Sequence, residues 1–393
     1  MTLADPPPGR SFRLVLATTF ASFCAFYAPQ PLLPTFALEF GVAPARSALL
    51  LTVCFVALAI APLLYGAVLQ RFSAQRLLLF STAALGLLQL VFASAPDFTT
   101  LLGSRVLQGL LLPAIFTAAV TYCSRARDPA AIARRVAAYI GTTILGGLCG
   151  RLIGGGLSDA IGWRATFACI GVLLLACAFG LTRAARDQSV PGSGRSLSAS
   201  LAILATPVFA AGYALIFLVF FTFSGLLTVL PFRLVALDAD IAAGTISLVY
   251  LGYLVGVLIA FDIARIGRLA GSAERAMGVA LVVFAAGLAL SAWPQVPVLI
   301  AAGFLTSAGM FTVHSTLSGN LNARLPAQSS LVNGLYIAIY YSAGALGSVL
   351  PLALFQQLGW QALLLVLIGT CATAALPLWW LARQSRAAGD TTG

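Results

Sequence analysis

The sequence predicts an all-α, polytopic membrane protein with twelve transmembrane helices arranged as two pseudo-symmetric six-helix bundles. Of its 393 residues, 60% are hydrophobic and only 8% are charged, whereas soluble domains carry about 25% charged residues. The apolar residues fall into blocks of about 20, which is the length that a helix needs to cross a bilayer. A repeat that relates the two halves of the chain is the third observation.

Twelve apolar segments are long enough to span a membrane, and they recur along the whole chain. Buried helices of a soluble protein are usually shorter, so this recurrence favours a membrane protein. The segments lie near residues 12–37, 46–69, 76–95, 99–123, 135–157, 164–183, 207–231, 243–264, 275–293, 296–322, 331–356 and 360–382.

One long polar stretch divides the chain into halves of six segments each. Its sequence, RAARDQSVPGSGRSLSAS, runs from Arg183 to Ser200 and is rich in glycine, serine, proline and arginine. This composition is typical of a flexible linker. We therefore predict an amino-terminal bundle over residues 1–183, a cytoplasmic linker over 184–206 and a carboxy-terminal bundle over 207–393.

The arginines predict how the chain is oriented in the membrane. All 22 basic residues are arginine, and most of them gather in short loops between the apolar segments. Positively charged loops stay on the cytoplasmic side, so we predict a multi-pass protein of the cell inner (plasma) membrane with both termini in the cytoplasm. This placement also argues against nucleic acid as a partner. Seventeen arginines share the side of the termini, and three lie opposite, namely Arg46, Arg164 and Arg233.

The two halves match each other at an offset of 197 residues. Single identities carry little weight in such glycine- and leucine-rich sequence, but two matched dipeptides at one offset indicate a duplication. Shared composition of two membrane halves is the alternative. A duplicated six-helix unit is typical of secondary carriers, whose substrate site lies near the membrane midplane. The matches are Tyr139-Ile140 with Tyr336-Ile337, Gly147 with Gly344, Gly150 with Gly347, Gly162-Trp163 with Gly359-Trp360, and Arg71 with Arg268.

The fifth segment, GGLCGRLIGGGLSD, places an arginine among six glycines. Glycines four residues apart lie on one helix face and let a neighbouring backbone come close. An arginine near the centre of a membrane helix costs about 2.5–3.5 kcal/mol, which favours a function for it. Snorkelling to the headgroups or a structural pair is the alternative. One glycine ridge consists of Gly146, Gly150 and Gly154, and the adjacent ridge of Gly147, Arg151 and Gly155.

Arg105 in the fourth segment and Arg151 in the fifth are predicted to lie at a similar depth in the outer half of the membrane. Two such arginines repel each other unless they point apart or share an anion. No acidic residue lies in the middle of a segment, so the anion is predicted to be the substrate, or Glu39 or Asp159 reaching in. The predicted substrate-site residues of this half are Tyr27, Gln30, Arg105, Gln108 and Arg151.

The second half contributes His314, the only histidine of the chain. Its side chain titrates near neutral pH, which suits proton coupling, although a lone histidine is often a hydrogen-bonded core residue. Asn333, Tyr336 and Tyr340 form a stripe along the eleventh segment, which is typical of a cavity lining or of helix packing. The candidates for proton coupling are Arg105, His314 and Asp262.

Two sequence motifs in the first half resemble those of the major facilitator superfamily. The loop GAVLQRFSAQR is similar to the family motif Gly-x-Leu-Ala-Asp-Arg-x-Gly-Arg, but Gln70 replaces its acidic residue and puts a charge-based latch in doubt. RVLQG, beginning at Arg105, is similar to the Arg-x-x-Gln-Gly motif of proton-coupled members. These motifs and their positions assign gating roles to Gly66, Gln70, Arg71, Arg76, Gly146, Gly150, Gly154, Gly155, Asp262 and Arg268.

The segment GGLCGRLIGG resembles the Gly-x-x-x-Gly-Pro-x-x-Gly-Gly signature of the exporter branches, the drug:proton antiporters and arabinose-efflux-permease-like members, with Arg151 at the proline. The resemblance implies a monomeric carrier that exports a drug-like compound, sugar or metabolite in exchange for protons, without a cofactor. A facilitator or importer of a small organic anion is the alternative. A membrane enzyme acting on lipid is disfavoured, since the sequence has no metal-ligand spacing and no paired carboxylates.

Overall fold

The computed structural model describes residues 9–71, 73–124, 128–183 and 197–390, with side chains from residue 11 onward except at 62–71, 129, 133, 197, 198 and 387–390. All regular secondary structure in these ranges is helical. The α-helices are α1 (Gly9–Tyr27), α2 (Leu33–Glu39), α3 (Pro44–Arg71), α4 (Ala74–Ala93), α5 (Phe98–Cys123), α6 (Pro129–Ile161), α7 (Trp163–Thr182), α8 (Leu197–Ala205), α9 (Pro207–Leu237), α10 (Ala243–Ser247), α11 (Tyr253–Ala270), α12 (Ala273–Leu290), α13 (Val296–Arg324) and α14 (Ser329–Asp390).

Eleven helical stretches of the described chain are long and apolar enough to cross a membrane. One of them, Pro326–Arg386, has 61 residues, whereas a bilayer requires about 20. Its backbone leaves the helical conformation at Gly359, where φ is 81°, so α14 consists of two helices. With this division the number of spans is twelve, and the predicted all-helical polytopic fold is confirmed.

Carboxylates cap several helices. The Oδ1 atom of Asp97 accepts a hydrogen bond from the backbone N–H of Thr100 at 2.8 Å. Both carboxylate oxygens of Asp128 accept from the next helix, from the N–H groups of Ala130 and Ala131 at 3.0 and 3.1 Å. The first N–H groups of a helix have no partner within it, so these carboxylates fix where α5 and α6 begin.

The glycines of the matched Gly-Trp pairs have the same backbone conformation. Gly162, between α6 and α7, has a φ of 80°, and Gly359, inside α14, has a φ of 81°. Glycine adopts this region at no steric cost. Each glycine is followed by a buried tryptophan, Trp163 or Trp360, that begins the last helix of its half. The predicted repeat therefore extends to the backbone.

The first predicted segment is interrupted. Helix α1 ends at Tyr27, a 3₁₀ turn covers Gln30–Leu32, and α2 follows. Pro29 and Pro31 carry no N–H, so they cannot donate to the carbonyl groups of Ala25 and Tyr27, four residues earlier. The sequence predicts one continuous helix over 12–37, whereas the structure divides this range into α1, a 3₁₀ turn and α2.

The helices form two compact units. Unit 1 contains α1 to α7 together with Ile241–Ser247, and unit 2 contains α8, α9 and α11 to α14. Helix α10 therefore belongs to unit 1, although the helices before and after it in the chain belong to unit 2. Of the predicted linker, residues 184–196 lie outside the described part, and residues 197–205 form α8 rather than a flexible segment.

Candidate substrate site

Arg151 lies in α6 and is 1% exposed. Its Nε donates a hydrogen bond to Oε1 of Gln30 at 2.7 Å, and its Nη1 donates to the carbonyl oxygen of Gly147 at 2.9 Å. The guanidinium carbon lies 3.8 Å from the centre of the Tyr27 ring, which is a cation–π distance. The structure thus brings together three of the predicted site residues, Tyr27, Gln30 and Arg151.

The glycine at position 147 makes room for this arrangement. A Cβ at Gly147 would lie 3.3 Å from the Tyr27 ring and 3.4 Å from Nη1 of Arg151. A side chain there would crowd both groups, so the glycine lets the guanidinium lie between the aromatic ring and the helix. The Arg151 side chain bonds one turn back along its own helix, in a buried position. Snorkelling towards the headgroups, the alternative for Arg151, is not what the structure shows.

Arg105 is fully buried in α5 and makes four hydrogen bonds. Its Nε donates to the carbonyl oxygen of Leu50 at 2.8 Å. Its terminal nitrogens donate to the carbonyl oxygens of Ala25 and Phe26 at 3.1 and 2.9 Å, and to Oε1 of Gln108 at 2.8 Å. A cation is stabilised at a helix carboxy-terminus, so Arg105 caps the end of α1, where Pro29 leaves the carbonyl of Ala25 without a helical donor. Through the same side chain, α5 is bonded to both α1 and α3.

The two arginines therefore have separate sets of partners. Arg151 contacts side chains and its own helix, whereas three of the four bonds of Arg105 go to backbone carbonyl groups of two other helices. The predicted single site containing both arginines is divided into two clusters. The contacts of Arg105 and Gln108 are those of groups that hold helices together, and they do not support substrate binding by this pair.

The two acidic residues that could have paired with Arg151 have other partners. Glu39 forms an ion pair with Arg164, with 2.5 Å between the nitrogen and the oxygen. The carboxylate of Asp159 accepts hydrogen bonds from the backbone N–H groups of Ala243 and Gly244 at 3.0 and 2.7 Å. Neither acid serves as the counter-ion that the sequence suggested as an alternative to substrate.

Unit 2 holds a second polar cluster. The hydroxyl of Tyr336 lies 2.9 Å from Nδ1 of His314 and donates to the backbone oxygen of His314 at 3.2 Å. The His314 ring lies 5.1 Å from that of Tyr340, which stacks on Phe220 at 3.5 Å. His314, Tyr336 and Tyr340 are thus brought together as predicted, whereas Asn333 is exposed.

The glycines of α6 contact two different helices. A Cβ at Gly146 or Gly150 would come within 2.8 Å of an atom of α1, and a Cβ at Gly154 would meet the carbonyl oxygen of Ala28, which follows α1. A Cβ at Gly155 would instead lie 2.3 Å from the carbonyl oxygen of Ala243 in α10. The close approach that the glycine spacing predicts is therefore present, and Gly155 makes it with a helix that the sequence did not suggest.

The other predicted gating residues lie at helix ends. The surroundings of Gly66 and the side chains of Gln70 and Arg71 fall outside the described part of the chain, and Arg76 is exposed in the first turn of α4. In the second half of the chain, Arg268 is exposed in the last turn of α11. None of these side chains has a described contact that explains a latch.

Asp262, the acidic candidate for proton coupling, pairs with a neighbouring arginine. Its Oδ2 lies 3.7 Å from Nη1 of Arg265, one turn further along α11, and both side chains are more than half exposed. The backbone at Asp262 departs from the helix, with a φ of −114°. Its described partner is therefore basic and exposed, and Asp262 shows no contact with His314 in the structure.

Sequence reasoning missed three residues that shape these clusters. Pro29 removes the helical donor for the carbonyl of Ala25, which is one of the groups that Arg105 binds. Prolines within a predicted membrane helix are a signal for such a break. Gln89 is fully buried in α4, with both amide atoms unpartnered among the described residues, and a polar residue in an apolar segment is the available signal. Phe220 stacks on Tyr340, which no local pattern indicates.

A repeated helical bundle with buried polar clusters is typical of polytopic membrane carriers. The sequence profile described as the Major Facilitator Superfamily matches residues 15–272 and 214–393. The chain therefore belongs to this superfamily, and the family resemblance noted in its motifs is confirmed. Members and relatives of the family are transporters rather than enzymes, and this chain is a multi-pass membrane transporter.

Bacterial relatives support the same assignment. The chain is 31% identical over 159 residues to the MFS-type transporter YybF of Bacillus subtilis (strain 168), and 31% identical over 158 residues to the inner membrane transport protein YnfM of Escherichia coli (strain K12). These matches cover 39% and 38% of the relatives and 40% of this chain. A transporter of Buchnera aphidicola subsp. Schizaphis graminum is 23% identical over 329 residues, covering 82% of this chain and 79% of that protein.

Solved transporters share the fold. The nucleoside transporter NupG has a TM-score of 0.79 at 13% identity, with 94% of this chain and 99% of that chain covered. The human organic anion transporter MFSD10 has a TM-score of 0.66 at 19% identity, with 95% of this chain and 100% of that chain covered. At such identities the likeness shows the fold alone.

Proposed function

We propose that this transporter carries a small organic molecule with an anionic group by alternating access, and that Arg151 binds the anionic group. One observation carries the proposal. A guanidinium that is 1% exposed is oriented by an amide oxygen, a backbone carbonyl and an aromatic ring. These three groups hold the guanidinium in a fixed orientation, and a guanidinium is well suited to bind a carboxylate, phosphate or sulfonate of a substrate through paired, charge-assisted hydrogen bonds.

The internal repeat supplies a comparison within the same molecule. At the offset of 197 residues, Arg151 corresponds to Ser348, which is also fully buried. The carbonyl oxygen of Gly147 accepts from Arg151, whereas that of the corresponding Gly344 accepts from the hydroxyl of Ser224 at 3.1 Å. A hydroxyl is thus sufficient at this helix crossing in unit 2. Because the crossing does not need a charge, the arginine in unit 1 is better explained by function.

We further propose export coupled to proton influx across the cell inner membrane. The exporter-like glycine segment around Arg151 supports this direction. His314 supports the coupling, since its Nδ1 lies 2.9 Å from the hydroxyl of Tyr336 and an imidazole in such a contact can exchange a proton with its partner. The alternative, a facilitator or importer of a small organic anion without proton antiport, is compatible with neighbours that include a nucleoside transporter and an organic anion transporter.

A ligand screen on the purified full-length carrier tests the substrate class. Thermal unfolding in detergent is measured with paired compounds, namely aromatic carboxylates, sugar phosphates and dicarboxylates, each beside its uncharged amide or alcohol. At least one class of anion should raise the Tm of the wild type, whereas Arg151→Gln should show no such rise. Ser348→Ala is the matched control and should respond as the wild type does. Stabilisation of Arg151→Gln by the same anion would contradict the proposal.

The coupling is tested with the anion that the screen identifies. Proteoliposomes loaded with it are placed in acidic medium, and efflux is recorded beside an internal pH-sensitive dye. Antiport predicts that efflux is faster in acidic medium and is accompanied by internal acidification. In His314→Gln, efflux should continue without internal acidification. Efflux that is indifferent to the pH gradient would overturn proton antiport and leave the facilitator as the function, without affecting the role of Arg151.

A further inference from the structure

Helix α10 begins without a capping residue of its own. Its first backbone hydrogen bond runs from the N–H of Ile246 to the carbonyl oxygen of Ala242, so Ala242 occupies the N-cap position. Alanine has no side-chain acceptor, whereas serine, threonine, aspartate or asparagine usually satisfies the first N–H groups of a helix. The N–H groups of Ala243 and Gly244 therefore depend on an acceptor from elsewhere in the chain.

Asp159, near the end of α6, supplies that acceptor. Its Oδ1 accepts from the N–H of Ala243 at 3.0 Å, and its Oδ2 accepts from the N–H of Gly244 at 2.7 Å. A carboxylate that accepts two backbone N–H groups makes charge-assisted bonds and also lies at the positive end of the helix. Asp128 likewise accepts from two consecutive N–H groups in the first turn of α6, but the cap of α10 comes from a different helix.

Glycines let α6 and α10 approach closely enough for this contact. A Cβ at Gly155 would lie 2.3 Å from the carbonyl oxygen of Ala243 and 2.8 Å from Cβ of Ser247. A Cβ at Gly156, the next residue of α6, would meet nothing within 4 Å. The contact with α10 is therefore made by one face of α6, and the carboxylate of Asp159 lies on that side, one turn beyond Gly155.

We propose that Asp159 is a detachable cap, which holds α10 on α6 in this conformation and releases it during the transport cycle. Helix α10 has five residues, and the chain on both sides of it belongs to unit 2. A carrier of this kind works by moving one repeat against the other, so a segment of one repeat that is held by the other must be released. Because Asp159 is exposed, release returns its charge to water and leaves no buried ion.

This inference rests on the transport cycle of the family and not on anion binding by Arg151, so either can fail alone. Hydrogen–deuterium exchange of the full-length carrier in lipid nanodiscs tests the cap. In Asp159→Ala, the amides of residues 243–247 should exchange about tenfold faster, as expected for a lost helix cap. Asp159→Asn, which keeps one acceptor oxygen, should show a smaller increase and serves if the alanine variant does not fold.

Two matched controls separate the cap from general loosening of the protein. Asp128→Ala removes the same kind of cap at the start of α6 and should leave the exchange of residues 243–247 unchanged. Gly155→Ala should accelerate that exchange because its Cβ meets α10, whereas Gly156→Ala should not. Unchanged exchange in both Asp159 variants would overturn the assignment of Asp159 as the cap.

Release is tested with a single cysteine at Ser247, a 2% exposed residue that faces Gly155, in a chain whose seven native cysteines are replaced. A maleimide should label Ser247→Cys slowly but completely in the monodisperse carrier, and about tenfold faster when Asp159→Asn is added. Absence of labelling over a day, in a preparation that unfolding makes fully reactive, would show that α10 stays docked and would overturn its release.

Discussion

The crossing of α1 and α6 in unit 1 and the crossing of α9 and α14 in unit 2 are built to the same spacing. A Cβ at Gly150 would lie 2.6 Å from Cys24, and a Cβ at Gly347 would lie 2.5 Å from the carbonyl oxygen of Phe221. Gly347 corresponds to Gly150, and Phe221 corresponds to Cys24, at the offset of 197 residues. Each crossing therefore depends on a glycine at which two backbones touch.

One turn further along, the small residue has moved to the other helix. In unit 1 a Cβ at Gly154 of α6 would lie 2.2 Å from the carbonyl oxygen of Ala28. At the corresponding positions of unit 2, the glycine is Gly225 of α9, and its Cβ would lie 2.6 Å from the ring of Pro351 in α14. The repeat thus preserves the distance between helices rather than the identity of the residue.

The polar contacts around the crossings differ much more than their spacing. Trp163 donates its indole N–H to the carboxylate of Glu39, whereas Trp360 donates to the backbone oxygen of Ser291. The position of Arg151 is a serine in unit 2. Unit 1 therefore carries charges where unit 2 uses hydroxyl and carbonyl groups.

The largest effect is expected when the positive charge of Arg151 is removed. In Arg151→Ala, transport of the anion identified by the screen should fall to background, since losing a buried charged contact costs about 2–5 kcal/mol of binding free energy. The variant should remain folded in the membrane, because the crossing in unit 2 needs no charge. Uptake into proteoliposomes and size-exclusion profiles measure the two properties, with Ser348→Ala as control. Normal transport by folded Arg151→Ala would reduce this residue to a structural one.

The swapped glycines should respond alike to an added methyl group. Gly154→Ala and Gly225→Ala should each lower the free energy of unfolding by about 1–3 kcal/mol, because each methyl group overpacks the crossing. The loss should be greater at Gly154, which meets a backbone oxygen. Gly103→Ala, where a Cβ meets nothing within 4 Å, is the control. Thermal unfolding followed by tryptophan fluorescence measures these losses. Equal losses of stability in Gly103→Ala and Gly154→Ala would show that the crossing is not closely packed.

A smaller difference is expected between the matched tyrosines. The hydroxyl of Tyr336 contacts two atoms of His314, at 2.9 and 3.2 Å, whereas that of Tyr139 donates only to the backbone oxygen of Phe116 at 3.4 Å. Tyr336→Phe should therefore lower the unfolding free energy by about 1 kcal/mol, and Tyr139→Phe should change it less. The same unfolding assay compares the two variants. A greater loss of stability in Tyr139→Phe than in Tyr336→Phe would show that the contact with His314 does not stabilise the carrier more than the contact with Phe116.

The smallest effect is expected at Gln89. Both of its amide atoms are buried without a partner in the described structure, so Gln89→Met should keep or raise the unfolding free energy by up to about 1 kcal/mol. Gln108→Met is the matched control, because it breaks the bonds to Arg105 and Leu88 and should destabilise the carrier. A clear loss of stability in Gln89→Met would show that its amide is satisfied in the membrane.

Sequence alone predicted the helices well because block length and charge pattern are local properties. It also grouped Arg151 with Gln30 and Tyr27, since the depth of a residue in a membrane helix follows from counting residues. It could not assign the role of Arg105, because three of its partners are backbone carbonyl groups of other helices, one of which, that of Ala25, loses its helical donor to Pro29. The cap from Asp159 is separated from Ala243 by 84 residues, so no local pattern contains it.

The interruption after α1 places a joint between the two arginines of unit 1. Arg105 holds the carbonyl groups of Ala25 and Phe26 on one side of it, and Gln30 holds Arg151 on the other. A small rotation about the few bonds between Phe26 and Gln30 would move the guanidinium of Arg151 relative to the fixed frame of α3 and α5. On the proposed role of Arg151, binding of an anion acts on the segment that begins at Gln30, whereas Arg105 keeps the end of α1 attached to α3 and α5.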